Sequence, residues 1–129
     1  MTIEIVLKGK VFSGNKRGKT FVNLPWVKKQ INEKLGFNPY IGTLNLRLPN
    51  EADINELREA NGIKIIPEKG YYEGKCFKAL LMGKVEGAVV LPDVPEYPPD
   101  LLEVLAPVNL RETLGLNDGV EIEVTITIE

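Results

Sequence analysis

Apolar and polar residues alternate along much of this chain, and the period changes in only a few places. Ile3-Glu4-Ile5-Val6-Leu7 through Val11-Phe12 reads as a first strand interrupted near Gly9, and Thr20-Phe21-Val22 as a short second one. Pro25 then opens a helix whose apolar residues Val27, Ile31 and Leu35 recur at helical spacing, and Gly36 closes it. Thr43-Leu44-Asn45-Leu46-Arg47-Leu48 alternates strictly, as a half-buried strand does, and Asn50 to Ala60 is weakly helical. Further strands are expected over Ile63–Ile66, Cys76–Leu81 and Gly87–Leu91, with turns at Gly70, Gly74 and Gly83. Pro92, Pro95, Pro98 and Pro99 make one rigid loop. Leu101–Leu105 fits a strand or a helix, because periodicity does not settle so short a run. Leu110–Leu114 resembles a short helix, Asn117-Asp118-Gly119 a tight turn, and Val120–Ile128 a final alternating strand. The expected fold is mostly β with a few helices, a compact β-barrel under a helical cover.

Composition narrows the chemistry. The chain has 129 residues, 43% hydrophobic and 26% charged, which suits one soluble domain. No apolar run approaches the roughly 18 residues of a membrane helix, the start carries no signal-peptide pattern, and a cytoplasmic protein is expected. Cys76 is the single cysteine, so an internal disulfide framework and a cysteine-cluster zinc site are excluded. There is no histidine, which removes histidine general bases, histidine metal sites and serine–histidine or cysteine–histidine catalysis. Carboxylate, hydroxyl, amine and amide chemistry remains. A net charge of −2 argues against a nucleic-acid binder driven by phosphate neutralisation.

The most chemically loaded stretch is Gly14-Asn15-Lys16-Arg17-Gly18-Lys19-Thr20. It ends in Gly-Lys-Thr as a P-loop does, but three residues separate the glycines where that motif has four. A P-loop also runs directly into a helix whose N-terminus holds phosphate, whereas Thr20-Phe21-Val22 looks extended. The P-loop reading fails, yet two glycines and the charges of Lys16, Arg17 and Lys19 still suit an anion on an otherwise acidic body. A plain solvated hairpin loop fits the same stretch. Thr43 and Asn45 stand two apart on a strand and face the same side. Both offer hard oxygen ligands without charge, so a magnesium ion held there needs anionic oxygens from elsewhere, such as nucleotide phosphates. The alternative is a strand's solvated face.

Taken together, four strings carry a resemblance: Gly14-x-x-x-Gly18-x-x-Phe21; Leu35-Gly36-Phe37-x-Pro39-Tyr40-x-Gly42-Thr43-Leu44-Asn45; Glu103-x-x-Ala106-Pro107-x-x-Leu110-Arg111; and Leu116-x-Asp118-Gly119. In this order they closely resemble the archaeal CTP-dependent riboflavin kinases, over essentially the whole chain. The resemblance implies a six-stranded cradle-loop barrel and a kinase that moves phosphate from CTP to the ribityl 5′-hydroxyl of riboflavin, giving FMN. It implies one kinase domain over residues 1–129, without the N-terminal DNA-binding extension of some members. Asn15, Lys16, Arg17, Gly18, Lys19 and Thr20 would wrap the nucleotide, with Val108, Asn109, Leu110 and Arg111 as its second contact. Thr43 and Asn45 would bind Mg2+, and Glu103 would contact the flavin. Glu96, which stands where the family carries a threonine before a tyrosine, would be the other flavin contact.

The assignment is physically coherent, because phosphoryl transfer needs positioning and charge neutralisation more than covalent chemistry. Glu103 is the candidate general base, with a purely hydrogen-bonding role to the flavin as the alternative. Arg111 suits either a phosphate contact or a local helix cap. The expected partners are riboflavin and CTP acting on a monomer, with no nucleic acid and no membrane. Trp26 is read as core rather than as a flavin-stacking residue, and Cys76 as a small buried hydrophobe. The final third, Leu110 to Val124, also looks like the swapped-hairpin DNA-binding modules of the AbrB type. Its last strand carries Glu121 and Glu123 where a DNA binder shows lysine or arginine. A non-catalytic flavin-binding protein is the other alternative.

Overall fold

The computed structural model describes residues 2–13, 23–40 and 43–128. Along them run β1 (Ile3–Phe12), α1 (Pro25–Leu35), β2 (Leu44–Arg47), α2 (Glu51–Glu59) and β3 (Ile63–Ile65). They are followed by β4 (Gly74–Leu81), β5 (Val85–Pro92), β6 (Leu101–Leu105), α3 (Leu110–Leu114) and β7 (Glu121–Ile128). Pairing is antiparallel in the order β4-β5-β6-β2-β1-β7, and Leu81↔Val124 to Lys78↔Thr127 returns β7 to β4. Among the described residues this closes a barrel of six strands, with β3 added outside on the first half of β4. The short strand expected at Thr20-Phe21-Val22 lies outside the described residues. No described helix is long and apolar enough to cross a membrane.

Alternation decides which side chains go inside. Leu44 and Leu46, Leu102 and Val104, and Ile122, Val124 and Ile126 all point into the barrel and pack with Leu7, Val11 and Phe77. Burying each such side chain contributes about 1.5–3 kcal/mol. Ile54 and Leu57 of α2 join this cluster at the end where β2 stops, and Leu110 of α3 joins it at the opposite end, where β6 stops. A second, smaller core lies on the outer face: Cys76, Ala88, Val90 and Leu105 are covered by Ile65 and by Val27 and Ile31 of α1. The same helix covers the free edge of β3. The Gln30 side chain accepts from the Ile66 N–H (2.7 Å) and donates to its carbonyl (2.8 Å), and Lys34 donates to the Lys64 carbonyl (2.6 Å).

One expectation changes here, and one open reading is resolved. β1 is not interrupted at Gly9 but runs unbroken from Ile3 to Phe12. A Cβ at Gly9 would stand 2.9 Å from Leu48 Cδ2 and 3.1 Å from Leu46 Cβ, so the missing side chain is what lets β2 close against β1. The ambiguous run Leu101–Leu105 is a strand, and all its residues are buried because one core lies on each side of it.

Gly87, where β5 approaches β6, has still less room: a Cβ there would fall 2.4 Å from the Leu105 carbonyl oxygen. Backbone rather than a flexible side chain is in the way, so Gly87→Ala is expected to destabilise by about 2–3 kcal/mol. Urea unfolding checks this, and an unchanged midpoint would mean that the two strands separate at little cost.

Candidate active site

The β2–β6 register places Asn45 directly opposite Glu103. With Phe12 opposite Asn45 and Val90 opposite Glu103, a row Phe12–Asn45–Glu103–Val90 crosses the outer face of the barrel. Glu103 is 2% exposed, and no other charged residue among the described ones is buried. An unpaired buried carboxylate is costly, and this one has partners on both oxygens. The Tyr97 hydroxyl donates to Oε1. Thr43 Oγ1 lies 3.3 Å from Glu103 Oε2 and 3.2 Å from Asn45 Oδ1, and its one proton is available to either. Burial pushes the Glu103 carboxyl above the ordinary carboxylate range, while the Tyr97 and Thr43 hydrogen bonds pull the other way. The Tyr97 phenol is raised too, by burial first and then by the Glu103 charge.

Three oxygens, one of them a carboxylate's, therefore gather here: Asn45 Oδ1 and Glu103 Oε2 lie 3.2 and 3.3 Å from the Thr43 hydroxyl they share. Adjacent ligands on a magnesium-sized ion stand roughly 3 Å apart, so this set fits a hard divalent cation. No group of three or more acidic, histidine or cysteine side chains gathers among the described residues. A cation here would complete its shell with water or with a ligand's anionic oxygens.

Tyr97 reaches Glu103 from the loop between β5 and β6. The Asp93 N–H donates to the Glu73 carbonyl (2.8 Å), and the Leu48 N–H to the Asp100 carbonyl (2.9 Å), so both ends of the loop are fastened. Arg47 pairs with Asp100 at 3.3 Å while its guanidinium lies 4.5 Å from the centre of the Phe12 ring. Glu96 is exposed, with a left-handed φ of +62°.

A groove of about 170 Å³ opens beside the oxygen cluster, lined by Tyr40, Thr43, Leu44, Val104 to Ala106 and Val108 to Arg111. The Tyr40 N–H donates to the Ala106 carbonyl (2.8 Å), and Asn109 Nδ2 donates to the Tyr40 hydroxyl (3.3 Å). Asn109 also caps α3 by accepting from the Glu112 N–H (3.3 Å). Arg111 Nη2 lies 2.7 Å from Asp118 Oδ1, and Ser13 Oγ donates to Asp118 Oδ2 at 2.8 Å. Both bonds hold the Asp118 carboxyl below its usual range. Asp118 thus ties the end of β1 to α3.

The structure brings several of the expected residues together. Thr43, Asn45 and Glu103 form one cluster, and Thr43 with Val108, Asn109, Leu110 and Arg111 lines one groove. Leu110 offers its backbone there, since its side chain is in the barrel core. Glu96 stands apart as an exposed loop residue. Asn15, Lys16, Arg17, Gly18, Lys19 and Thr20 lie outside the described residues. Tyr97 is the partner that sequence reasoning missed: a tyrosine among prolines gives no signal that it folds back onto a glutamate six positions later. A larger cleft of about 570 Å³, lined by Arg58, Lys64, Glu73, Lys75 and Asp93 among others, contains none of the described candidate residues. Lys75 there donates to the Arg58 and Ala60 carbonyls, closing the end of α2.

A family model named CTP-dep_RFKase, described as a domain of unknown function, DUF120, matches residues 11–126. Among curated relatives, the chain is 45% identical over 130 residues to the riboflavin kinase of Archaeoglobus fulgidus, covering 96% of this chain and 55% of that protein. It is 43% identical over 123 residues to the riboflavin kinase of Methanocella arvoryzae, covering 94% and 56%. With that of Pyrobaculum islandicum it shares 40% over 136 residues, covering 98% and 63%. The chain thus spans between 55% and 63% of the length of these three relatives.

Proposed function

The chain belongs to the CTP-dep_RFKase family, and on that premise we propose that it transfers the γ-phosphate of CTP to the ribityl 5′-hydroxyl of riboflavin, giving FMN and CDP. The observation that carries the reading is the buried Glu103 carboxylate beside Thr43 and Asn45, next to a groove walled by Val108 to Arg111. Carboxylate, hydroxyl and amide oxygens meet there without a histidine or a cysteine nucleophile, which suits phosphoryl transfer by positioning.

In this reading the nucleotide lies in the groove, against the backbone of Val108 to Leu110 and the Arg111 guanidinium, with residues 15–20 as its second contact. Thr43 and Asn45 hold Mg2+, with Glu103 close enough to add a carboxylate oxygen. When bound, that ion supplies neutralisation of phosphate charge. Glu103 contacts the flavin's ribityl end, and its carboxylate accepts the 5′-hydroxyl proton. Glu96, on the exposed loop, is the weaker flavin contact. Lys16, Arg17 and Lys19 add positive charge around the transferred group. The chain acts as a cytoplasmic monomer on two small molecules, with no nucleic acid and no membrane.

The test is to incubate the protein with riboflavin, magnesium and one nucleoside triphosphate at a time, separating FMN by fluorescence-detected chromatography. FMN with CTP and little with ATP is the expected result. Equal yields from both would retain the kinase and remove the donor preference. No FMN with any nucleotide, from folded protein, would overturn the reading.

A further inference from the structure

We propose that Tyr97 is a positioning residue for Glu103, acting through its hydroxyl; the inference rests on the kinase reading above. A carboxylate at the end of a rotatable side chain presents either oxygen unless one is occupied. Here the Tyr97 hydroxyl takes Oε1, and Oε2 is left 3.3 Å from Thr43 Oγ1, on the side of the Thr43–Asn45 pair. One oxygen is thus sequestered and the other is presented to the cluster that would hold metal and substrate. Glu103 also stands opposite Asn45 on a paired strand, so its backbone is fixed and the carboxylate's rotation is the freedom left to remove.

The loop that delivers Tyr97 is built at a cost. Glu96, immediately before it, adopts a left-handed φ of +62°, a conformation that disfavours residues other than glycine. Pro95, Pro98 and Pro99 stiffen the same turn, and the Leu101 N–H donates to the Pro98 carbonyl at 3.3 Å, joining it to the first residue of β6. A phenylalanine would fill the same space, so the ring alone accounts for packing. The hydroxyl is left with one partner among the described residues, the Glu103 carboxylate.

The experiment is a double-mutant cycle on wild type, Tyr97→Phe, Glu103→Gln and the double variant, each checked for folding by circular dichroism. With Glu103 present, loss of the hydroxyl is expected to lower kcat about tenfold or more, leaving the KM for CTP within about twofold. With glutamine at 103, the same substitution should change the residual kcat by less than about twofold, because the group it positions is gone. Where residual turnover is too slow to follow, riboflavin affinity by fluorescence quenching gives the same cycle. A merely structural tyrosine would shift the melting temperature and leave kcat. Unchanged kcat in Tyr97→Phe, or an equal loss in both backgrounds, would overturn the proposal while the kinase stands. Wild-type protein that makes no FMN would instead overturn the kinase reading, and this inference with it.

Discussion

Glu103→Gln is expected to melt higher than the wild type at pH 7 and to form FMN at least a hundredfold more slowly. The two effects share one cause. Burial raises the Glu103 carboxyl above its ordinary value near 4.5, so the folded protein holds this proton more tightly than the unfolded chain does. A group whose folded pKa is raised contributes stability that is complete below the unfolded value and is lost as pH rises through the folded one. At neutral pH the wild type therefore carries a cost of burying the carboxylate charge that a neutral amide avoids. Glutamine keeps the shape. Its oxygen accepts from Tyr97 and its amide donates to Thr43 or Asn45, so no buried polar atom is stranded. The charge that takes up the substrate proton is gone, and with it about two orders of magnitude in rate. Thermal melts between pH 4 and 8 read the stability half: the wild type should lose stability with rising pH over a window that the variant lacks. A variant that melts lower at pH 7 would show that the Tyr97 and Thr43 hydrogen bonds outweigh burial. A variant with wild-type kcat would remove Glu103 from the chemistry.

How much of this arrangement could be read from the residues depends on the range of the interaction. Period-2 alternation in Thr43–Leu48 and Val120–Ile128, and helical spacing in Val27, Ile31 and Leu35, are local signals, and those elements lie where they were expected. Leu101–Leu105 was ambiguous because its burial on both sides comes from two cores made by distant residues, which removes the alternation that would identify a strand. Gly9 misled for the same reason. A glycine in a strand weakens it unless another strand needs the space, and Leu46 and Leu48 are far along the chain. At the site, Thr43 and Asn45 were legible as a pair because strand geometry puts residues two apart on one face. That Glu103 completes them follows only from the β2–β6 register. Glu96 and Tyr97 show the limit most directly. Adjacent in sequence, they are separated by one left-handed residue conformation, which leaves Glu96 exposed and turns Tyr97 onto the carboxylate.

Asn45→Ala should lower FMN formation about a hundredfold at millimolar magnesium, and raise by a similar factor the magnesium needed for half-maximal rate. Asn45 has no apolar burial to lose, since its neighbours Leu44 and Leu46 take the core face and its own side chain is only half-buried. Its hydrogen bond to Thr43 is an ordinary neutral one, so stability should fall by no more than about 1 kcal/mol. What disappears is an oxygen 3.2 Å from the Thr43 hydroxyl, one corner of the set that suits a divalent cation. Asn45→Asp separates ligand loss from other effects, because it keeps that oxygen and adds charge opposite Glu103. Two facing carboxylates repel without a cation and are relieved by one. The aspartate variant should therefore melt lower than the wild type in chelator and recover when magnesium is added, whereas the alanine variant should show no such recovery. A magnesium titration of rate together with melting curves in both conditions tests the pair. If Asn45→Ala follows the wild-type magnesium curve, the metal is held elsewhere; if Asn45→Asp melts alike with and without magnesium, no cation sits between these two strands.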